Sequence, residues 1–402
     1  MFTDSQTVHG STSLLFINRS RKYCLCRWLQ NFILGFLIFI PLFMLSWYIA
    51  IKIRYKNNQC IRTYNSSVLN TSNNTNILSH NFTNFNQLAL HHFQILGTHN
   101  SYHSEVSISS QMDFGIRQIE LDVHIISGKG GYLVYHLQLI DDYTNCYCLS
   151  ECLQLILKWS QRNRLHYPVF LFIEIKSMFY EDMVTGFTGV KCAHLESIKQ
   201  QILTIFPSER LIAPDQIQGN FTSITAALKQ QKLDEVHGNY SYHGYGWMPL
   251  ASSLGKIMPV YLDDAHNIAD RLTCLTKNPI AAYRFFFIAQ SHIDRSYAAI
   301  VVLNTITTKQ SETAIKTSLA NGKIIRTSIF SNYKLYERAF ELGIHIISFD
   351  FKKCIIDPLS TPYCNNLPNG LFLNKPLVCN SRTAPRFCEI SVNQVGANGI
   401  LF

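Results

Sequence analysis

The sequence predicts an α/β protein: a somewhat irregular (β/α)8 barrel of the TIM type, preceded by one membrane-spanning helix. Three observations predict this architecture. Short apolar runs alternate with helical stretches, polar residues follow several of these runs, and one long uncharged segment lies near the N-terminus. The chain has 402 residues, of which 47% are hydrophobic, so it can bury a large core.

The first element is the apolar segment at residues 32–51, FILGFLIFIPLFMLSWYIAI, which holds 20 residues without a charge. At helical rise it matches the roughly 30 Å hydrocarbon core of a bilayer. Trp47 and Tyr48 lie near one end, as interfacial aromatic residues do. A cleaved signal peptide is the alternative, but its apolar region is normally about 7–15 residues long. The segment therefore predicts an uncleaved membrane anchor.

The anchor divides the chain into four predicted regions. Basic residues flank it on both sides, so charge alone leaves its orientation open. The regions are a cytosolic tail (1–31), the anchor (32–51), an Asn/Ser/Thr-rich stalk (52–85) and a globular barrel domain (86–402).

Cysteines and glycosylation motifs decide the orientation. Ten of the 12 cysteines follow the anchor, and disulfides form in oxidising compartments. These features predict a single-pass protein whose C-terminal domain is extracellular or lumenal, glycosylated and disulfide-bonded. Six Asn-x-Ser/Thr motifs also follow the anchor: Asn65, Asn70, Asn73, Asn81, Asn220 and Asn239.

Charge excludes one class of partner. The net charge of +9 is mild, and no Lys/Arg-rich run or RNA-binding aromatic motif occurs. Nucleic acid is therefore not an expected partner. An anionic phospholipid surface is compatible with this charge, and simple solubility is the other interpretation.

The barrel prediction depends on eight apolar runs. Helical stretches such as 152–163 and 332–343 lie between several of them, and this alternation favours a parallel sheet. Residues 177–256 form a long insertion after the fourth predicted strand. The eight predicted strands are 93–99, 117–124, 131–136, 169–176, 257–264, 298–305, 323–330 and 344–351.

Polar residues end the first four predicted strands, where a barrel places its active site. Side chains alternate along a strand, so residues two positions apart share a face. Three carboxylates are thus expected to converge with two histidines. The residues are His99 and Asn100, then Glu120 and Asp122, then His136, and finally Glu174 and Lys176.

These residue types point to a metal-assisted reaction. Three carboxylates and an amide oxygen repel one another unless a cation neutralises them, and an all-oxygen set favours Ca²⁺ over Mg²⁺ where geometry is irregular. Two histidines can act as an acid/base pair near neutral pH. Together they suit the cleavage of a phosphodiester by a neighbouring hydroxyl.

The order of the motifs THN, ELDVH, a strand ending in His, and IEIK resembles the catalytic half of phosphoinositide-specific phospholipases C, most closely the Ca²⁺-dependent branch. Three later segments, at 246–264, 343–351 and 367–388, resemble the same branch, so the similarity covers roughly 90–390. Cys379 and Cys388 bracket a tail loop that resembles a disulfide-closed one.

The resemblance implies a role for each matching residue. His99 would be the first catalytic histidine and His136 the second, acting as general acid. Lys176 would contact the phosphate or headgroup, or would be an ordinary rim lysine. Arg326 and Asp263 are further substrate-side candidates, and His103 and His124 are expected to support the site. The implied calcium ligands are Asn100, Glu120, Asp122 and Glu174.

The resemblance predicts a membrane-anchored phosphodiesterase that cleaves phosphatidylinositol-type lipids to diacylglycerol and an inositol phosphate. Phosphatidylinositol is mostly on cytosolic leaflets, whereas this site would face outward. Glycosyl-phosphatidylinositol anchors, or lipids of food or other cells, would be the accessible substrates.

Two alternatives stay open. A glycerophosphodiester phosphodiesterase or sphingomyelinase D-like enzyme shares the barrel, the metal carboxylates and two histidines. The former typically carries His-Arg-Gly after strand one, where this chain has His99-Asn100-Ser101. A catalytically silent surface scaffold is the alternative of a different class, but no expected ligand or histidine is missing.

Overall fold

The computed structural model divides into two units, residues 1–59 and 60–402. In the first helix, side chains are described for residues 28–50. The structure describes residues 12–57, 60, 85–103, 106–125, 131–137, 141–176, 192–262, 285–291, 293–329, 333–350 and 377–388.

The first unit contains one long helix, α1 (Thr12–Asn57). Its segment Trp28–Ala50 has a mean hydropathy of 2.3 and no buried residue within the protein. By length and composition this segment can cross a membrane, and a signal sequence passes the same test. The helix overlaps the predicted anchor at 32–51.

The second unit is built on a closed barrel. Eight parallel strands follow one another in the order β1, β2, β4, β5, β6, β7, β8, β9, and β1 pairs with both β9 and β2 to close the ring. β3 and β10 add antiparallel edges to β2 and β1. The strands are β1 Phe93–Thr98, β2 Gln118–Ile125, β3 Tyr132–Val134, β4 Val169–Lys176, β5 Ile257–Leu262, β6 Phe287–Gln290, β7 Ile300–Val302, β8 Ile324–Ser328, β9 Ile346–Phe349 and β10 Leu377–Cys379.

The barrel is therefore confirmed, but one predicted strand assignment is wrong. The predicted third strand, 131–136, is β3, which pairs antiparallel with β2 and lies outside the ring. Only six residues separate Ile125 from Tyr132, whereas a parallel crossover needs a dozen or more. The remaining barrel strand is β6, which the sequence analysis missed because it is only four residues long.

Helices connect and cover the strands. Helix α2 lies between β1 and β2, α3 lies between β3 and β4, and the predicted insertion after β4 contains α4 to α7. The described helices are α2 Ile108–Asp113, α3 Leu149–Arg162, α4 Cys192–Ile205, α5 Pro214–Gln218, α6 Ile224–Val236, α7 Leu250–Ser253, α8 Lys309–Ala320 and α9 Tyr333–Glu341, with 3₁₀ turns at Leu90–His92 and Ser208–Arg210.

Alternation along the strands creates two apolar layers. On β4, Phe170 and Phe172 belong to one buried cluster, whereas Leu171 and Ile173 belong to another that includes residues of α2, α3 and α4. Even-numbered residues of β4 therefore face the barrel interior and odd-numbered ones face the helices. The same alternation carries residue 174 into the interior at the carboxyl end of the strand.

Three disulfides join described residues of the second unit, as the sequence analysis expected of an oxidising compartment. Cys379–Cys388 closes the tail loop. Cys146–Cys152 and Cys60–Cys148 both fasten the segment that leads into α3. Asn220 and Asn239, the glycosylation motifs within the described range, are both exposed.

Candidate active site

Three carboxylates meet at the carboxyl ends of two neighbouring barrel strands. β2 carries Glu120 and Asp122, β4 carries Glu174, and Asp122 and Glu174 are register partners. One oxygen from each carboxylate lies within 4.8 Å of the other two. The structure thus brings together three of the four predicted calcium ligands.

Asp122 is the most deeply buried carboxylate of this cluster. Its side chain is 0% exposed, and neither carboxylate oxygen has a hydrogen-bond partner. Burial, together with the negative charges of Glu174 and Glu120, raises the pKa of Asp122 to about 7, against the opposing charge of Lys176. The buried oxygens of Asp122, together with those of the neighbouring carboxylates, fit a hard cation such as Ca²⁺, which takes oxygen ligands.

Two basic side chains partly neutralise the carboxylates. The Arg326 guanidinium, which is 2% exposed, donates to Glu120 Oε2 and to Ser348 Oγ at 3.2 Å. Lys176 Nζ lies 2.6 Å from Glu174 Oε1 and 3.4 Å from Asp122 Oδ2. Burial lowers the pKa of Lys176, but the charges of Asp122 and Glu174 prevail and hold that pKa above its ordinary value. Two of the three predicted substrate-side residues, Lys176 and Arg326, therefore contact predicted calcium ligands.

The first predicted catalytic histidine directly follows β1. His99 Nδ1 donates to Asp350 Oδ1 at 3.0 Å, and His99 Nε2 lies 3.7 Å from Glu120 Oε1. Although burial lowers the pKa of His99, the hydrogen bond to Asp350 and the charge of Glu120 raise it above the ordinary value. Asp350 follows β9, the strand that pairs with β1.

The backbone at Asn100, the fourth predicted calcium ligand, turns sharply. Asn100 has a φ of 47°, a left-handed conformation that Asn adopts more readily than most residues. The Ser101 N–H donates to the Glu120 carbonyl at 3.0 Å, and the His103 N–H donates to the Asn100 carbonyl at 2.8 Å. These bonds hold the turn against β2 beside the carboxylate cluster.

The second predicted catalytic histidine is positioned by a loop carboxylate. His136 Nδ1 lies 2.9 Å from Asp141 Oδ2, and His103 Nε2 lies 2.5 Å from Asp141 Oδ1. Burial raises the pKa of Asp141, but the hydrogen bonds from His136 and His103 hold it below its ordinary value. Asp141 thus joins His136 to the turn that carries His99 and Asn100.

Sequence reasoning missed three residues of this site. Asp350 ends the last barrel strand, so the rule that selected the other strand-end residues could have found it. Asp141 lies in a loop and carried no such signal. Tyr102 is buried, and burial together with the charge of Asp122 raises the pKa of its hydroxyl, so the hydroxyl stays protonated.

Two further predicted residues were Asp263 and His124. Asp263 falls outside the described residues. His124 is buried, stacks on Tyr135 at a ring separation of 3.8 Å and lies 2.9 Å from the Tyr135 carbonyl through Nε2. These contacts give His124 a packing role.

The barrel places carboxylates, two histidine–aspartate pairs and basic side chains at the carboxyl ends of its strands. This combination defines the class: an enzyme that hydrolyses phosphoric diesters. The family is shown by the sequence model of "Phosphoinositide phospholipase C, Ca2+-dependent", which matches residues 127–376. Because the match covers more than half of the chain, the chain belongs to the Ca²⁺-dependent phosphoinositide phospholipase C family.

The chain is also similar to several solved structures. The Ca²⁺-dependent phosphatidylinositol-specific phospholipase C of Streptomyces antibioticus is 12% identical, with a TM-score of 0.50 over 65% of this chain and 94% of that one. A calcium-dependent phosphoinositol-specific phospholipase C from a Gram-negative Pseudomonas species is 16% identical, with a TM-score of 0.49 over 66% and 91%. A glycerophosphodiester phosphodiesterase from Parabacteroides distasonis is 11% identical, with a TM-score of 0.37 over 64% and 92%. No curated protein sequence matches this chain.

Proposed function

We propose that this chain is a phospholipase C that cleaves phosphatidylinositol-type lipids in a Ca²⁺-dependent reaction, giving diacylglycerol and an inositol phosphate, cyclic or hydrolysed. The observation that carries the proposal is the convergence of Glu120, Asp122 and Glu174 within 4.8 Å. Two histidines, each hydrogen-bonded to an aspartate, lie beside them. Asn100, in the adjoining turn, completes the proposed set of calcium ligands.

Calcium bound there would lower the pKa of the attacking inositol hydroxyl and offset the phosphate charge. In neutral His99, donation from Nδ1 to Asp350 puts the lone pair on Nε2, which suits a base. His99 then takes the hydroxyl proton as the oxygen attacks phosphorus. Asp350 stabilises the imidazolium that forms, as the aspartate does in a catalytic triad.

His136 serves the leaving group in this proposal. Its Nδ1 donates to Asp141 Oδ2 at 2.9 Å, so in the protonated imidazolium form of His136 the Nε2 proton is the one free to be transferred. As the bond between phosphorus and the glycerol oxygen breaks, His136 protonates that oxygen and diacylglycerol leaves. The buried pair of Arg326 and Glu120 fixes the orientation of one carboxylate, while Lys176 remains close enough to the cluster to meet a phosphate.

The proposal also concerns location. An apolar helix that can cross a membrane, disulfides in the second unit and exposed glycosylation motifs support a membrane-anchored enzyme with an outward-facing barrel. Glycosyl-phosphatidylinositol anchors and outer-leaflet lipids would be its substrates. Protease protection in sealed vesicles tests this: a barrel that stays on the cytosolic side would refute the orientation.

Phosphorus NMR tests the reaction. The purified chain, incubated with phosphatidylinositol vesicles and Ca²⁺, should produce an inositol phosphate signal that disappears with a chelator and in His99→Ala. The matched control is His124→Ala, because His124 packs on Tyr135 and should leave the products unchanged if the variant folds. Phosphatidic acid or a cyclic lipid phosphate as product would instead indicate a phospholipase D-like reaction.

A further inference from the structure

Lys176 occupies an unusual place for a residue predicted to meet a substrate. Its ammonium group lies 2.6 Å from Glu174 Oε1 and 3.4 Å from Asp122 Oδ2, and both residues belong to the carboxylate cluster. Among the described residues, the Lys176 ammonium is the cation that forms an ion pair with Asp122. Lys176 therefore supplies the carboxylate cluster with part of the positive charge that a bound cation would supply.

We propose that Lys176 is an internal counter-ion that competes with Ca²⁺ for Glu174 and Asp122, and that it moves to the phosphate of the substrate when the ion binds. This inference rests on the proposed function for the identity of the ion and of the substrate. It concerns the exchange between two cations and not the chemical step.

Coulomb repulsion makes the exchange necessary. An ammonium that remained within hydrogen-bond distance of a carboxylate oxygen would lie a few ångströms from a Ca²⁺ bound to that oxygen, and like charges at such a distance repel strongly in a partly buried site. The Lys176 side chain is 27% exposed, so it has a route out of the cluster. A lysine has a flexible four-carbon stem and three donors, which lets it change partners.

Arg326 cannot perform the same exchange. It is 2% exposed and is held by both Glu120 and Ser348, and guanidinium groups make geometrically fixed contacts. The cluster therefore has one fixed cation and one movable cation. Only the movable one has both the exposure and the contacts to couple ion binding to substrate binding.

The exchange has two consequences. Calcium binds less tightly than the three carboxylates alone would allow, because each binding event must displace an ion pair. An anionic phosphate then offers the displaced ammonium a new partner, so ion and phosphate should strengthen each other's binding reciprocally.

The test measures calcium binding by isothermal titration calorimetry on the purified full chain, with CaCl₂ as the titrant. Lys176→Met keeps the stem and removes the charge, and it should bind Ca²⁺ at least about tenfold more tightly than wild type. Lys176→Arg keeps a cation and should stay within about threefold of wild type. Lys199→Met is the matched control, since Lys199 pairs with Glu196 on α4 at 3.3 Å, and it should change nothing.

Thermal melting in a chelator provides the second readout. Without calcium, Lys176→Met should melt several degrees below wild type because the carboxylates lose a counter-ion, and added CaCl₂ should remove or reverse that difference. Equal or weaker Ca²⁺ affinity in Lys176→Met, or no Ca²⁺ binding by any variant, would overturn the inference. If the variants show the expected differences in Ca²⁺ affinity but the wild-type chain cleaves no lipid, the exchange is supported and the proposed function is refuted.

Discussion

The carboxylate of Asp141 accepts hydrogen bonds from two histidines, His136 at 2.9 Å and His103 at 2.5 Å. A histidine that transfers protons works only when its ring is held in one tautomer and one orientation, and a carboxylate on the far nitrogen supplies both. Asp141 is therefore a positioning residue, since no part of it needs to touch the substrate.

Replacing Asp141 by Asn tests this role at the residue scale. Asp141→Asn should lower kcat on phosphatidylinositol by about 10²-fold, which is within the range that general acid–base catalysis contributes, and should leave KM nearly unchanged. Its side chain is 40% exposed, so the fold should be retained, as circular dichroism would show. Asp215→Asn, at an exposed position of α5, is the control. An unchanged kcat in Asp141→Asn would show that Asp141 does not position a catalytic histidine.

His166 gives a prediction for pH dependence. It is 0% exposed, lies 2.7 Å from Ser160 Oγ through Nε2 and donates from Nδ1 to the Tyr167 carbonyl at 2.7 Å. Burial lowers its pKa to about 3 in the folded chain, from 6.5. The folded state therefore resists protonation, so its stability is highest above pH 6.5 and falls as the pH drops from 6.5 towards 3.

Acidification from pH 7 to pH 5 should reduce the free energy of unfolding by about 2 kcal/mol through His166 alone, because only the unfolded chain takes up that proton. His166→Gln should be less stable at pH 7 but should lose about 2 kcal/mol less than wild type over the same interval. Urea titrations at both pH values measure the difference. Parallel losses in the two proteins would show that His166 does not contribute to acid sensitivity.

At the element scale, the barrel closes where β1 meets β2. The register pair Gly97 and Gln118 joins these strands, and a Cβ on Gly97 would lie 2.0 Å from Gln118 Oε1. Both positions face the barrel interior. The absence of a side chain at Gly97 is thus what lets the larger Gln118 fit across the closing pair.

Gly97→Ala should destabilise the barrel by about 1–3 kcal/mol, the usual effect of adding a methyl group to a packed interior. Gln118→Ala makes room for that methyl, so the double variant should lose less stability than the sum of the two single variants. Chemical denaturation of the four proteins measures the coupling. Strict additivity would mean that the strands adjust elsewhere.

At the scale of the whole second unit, two disulfides share the segment that precedes α3. Cys60–Cys148 spans 88 residues and Cys146–Cys152 spans 6. A cross-link removes more entropy from the unfolded chain when its loop is longer. The longer bond therefore restrains the unfolded chain far more, although both bonds fasten the same region.

Replacing Cys60 and Cys148 together by Ser should cost up to about 4 to 5 kcal/mol of stability, and replacing Cys146 and Cys152 should cost about 2 kcal/mol by the same entropy argument. Urea denaturation under non-reducing conditions compares the two double variants. A larger loss from the short loop would show that packing around Cys152, which is 0% exposed, outweighs chain entropy.

The sequence by itself determined the parts of this protein that depend on local pattern. The uncharged run at 32–51 predicted an apolar helix, alternation placed Glu120 and Asp122 on one face of β2, and apolar runs separated by helices predicted the barrel. These inferences succeed because side-chain direction and hydrophobic period are set by neighbours in the chain.

The tertiary structure decided which elements close the ring and which distant residues meet. In the structure, β3, which contains Tyr132, lies outside the ring, and β6 is one of the eight ring strands. The tertiary structure also joined His99 to Asp350, 251 positions away, and set Arg326 against Glu120 across 206 positions. Such pairings depend on strand register and on the closure of the sheet, which no local pattern contains, because they form only when the whole barrel is assembled.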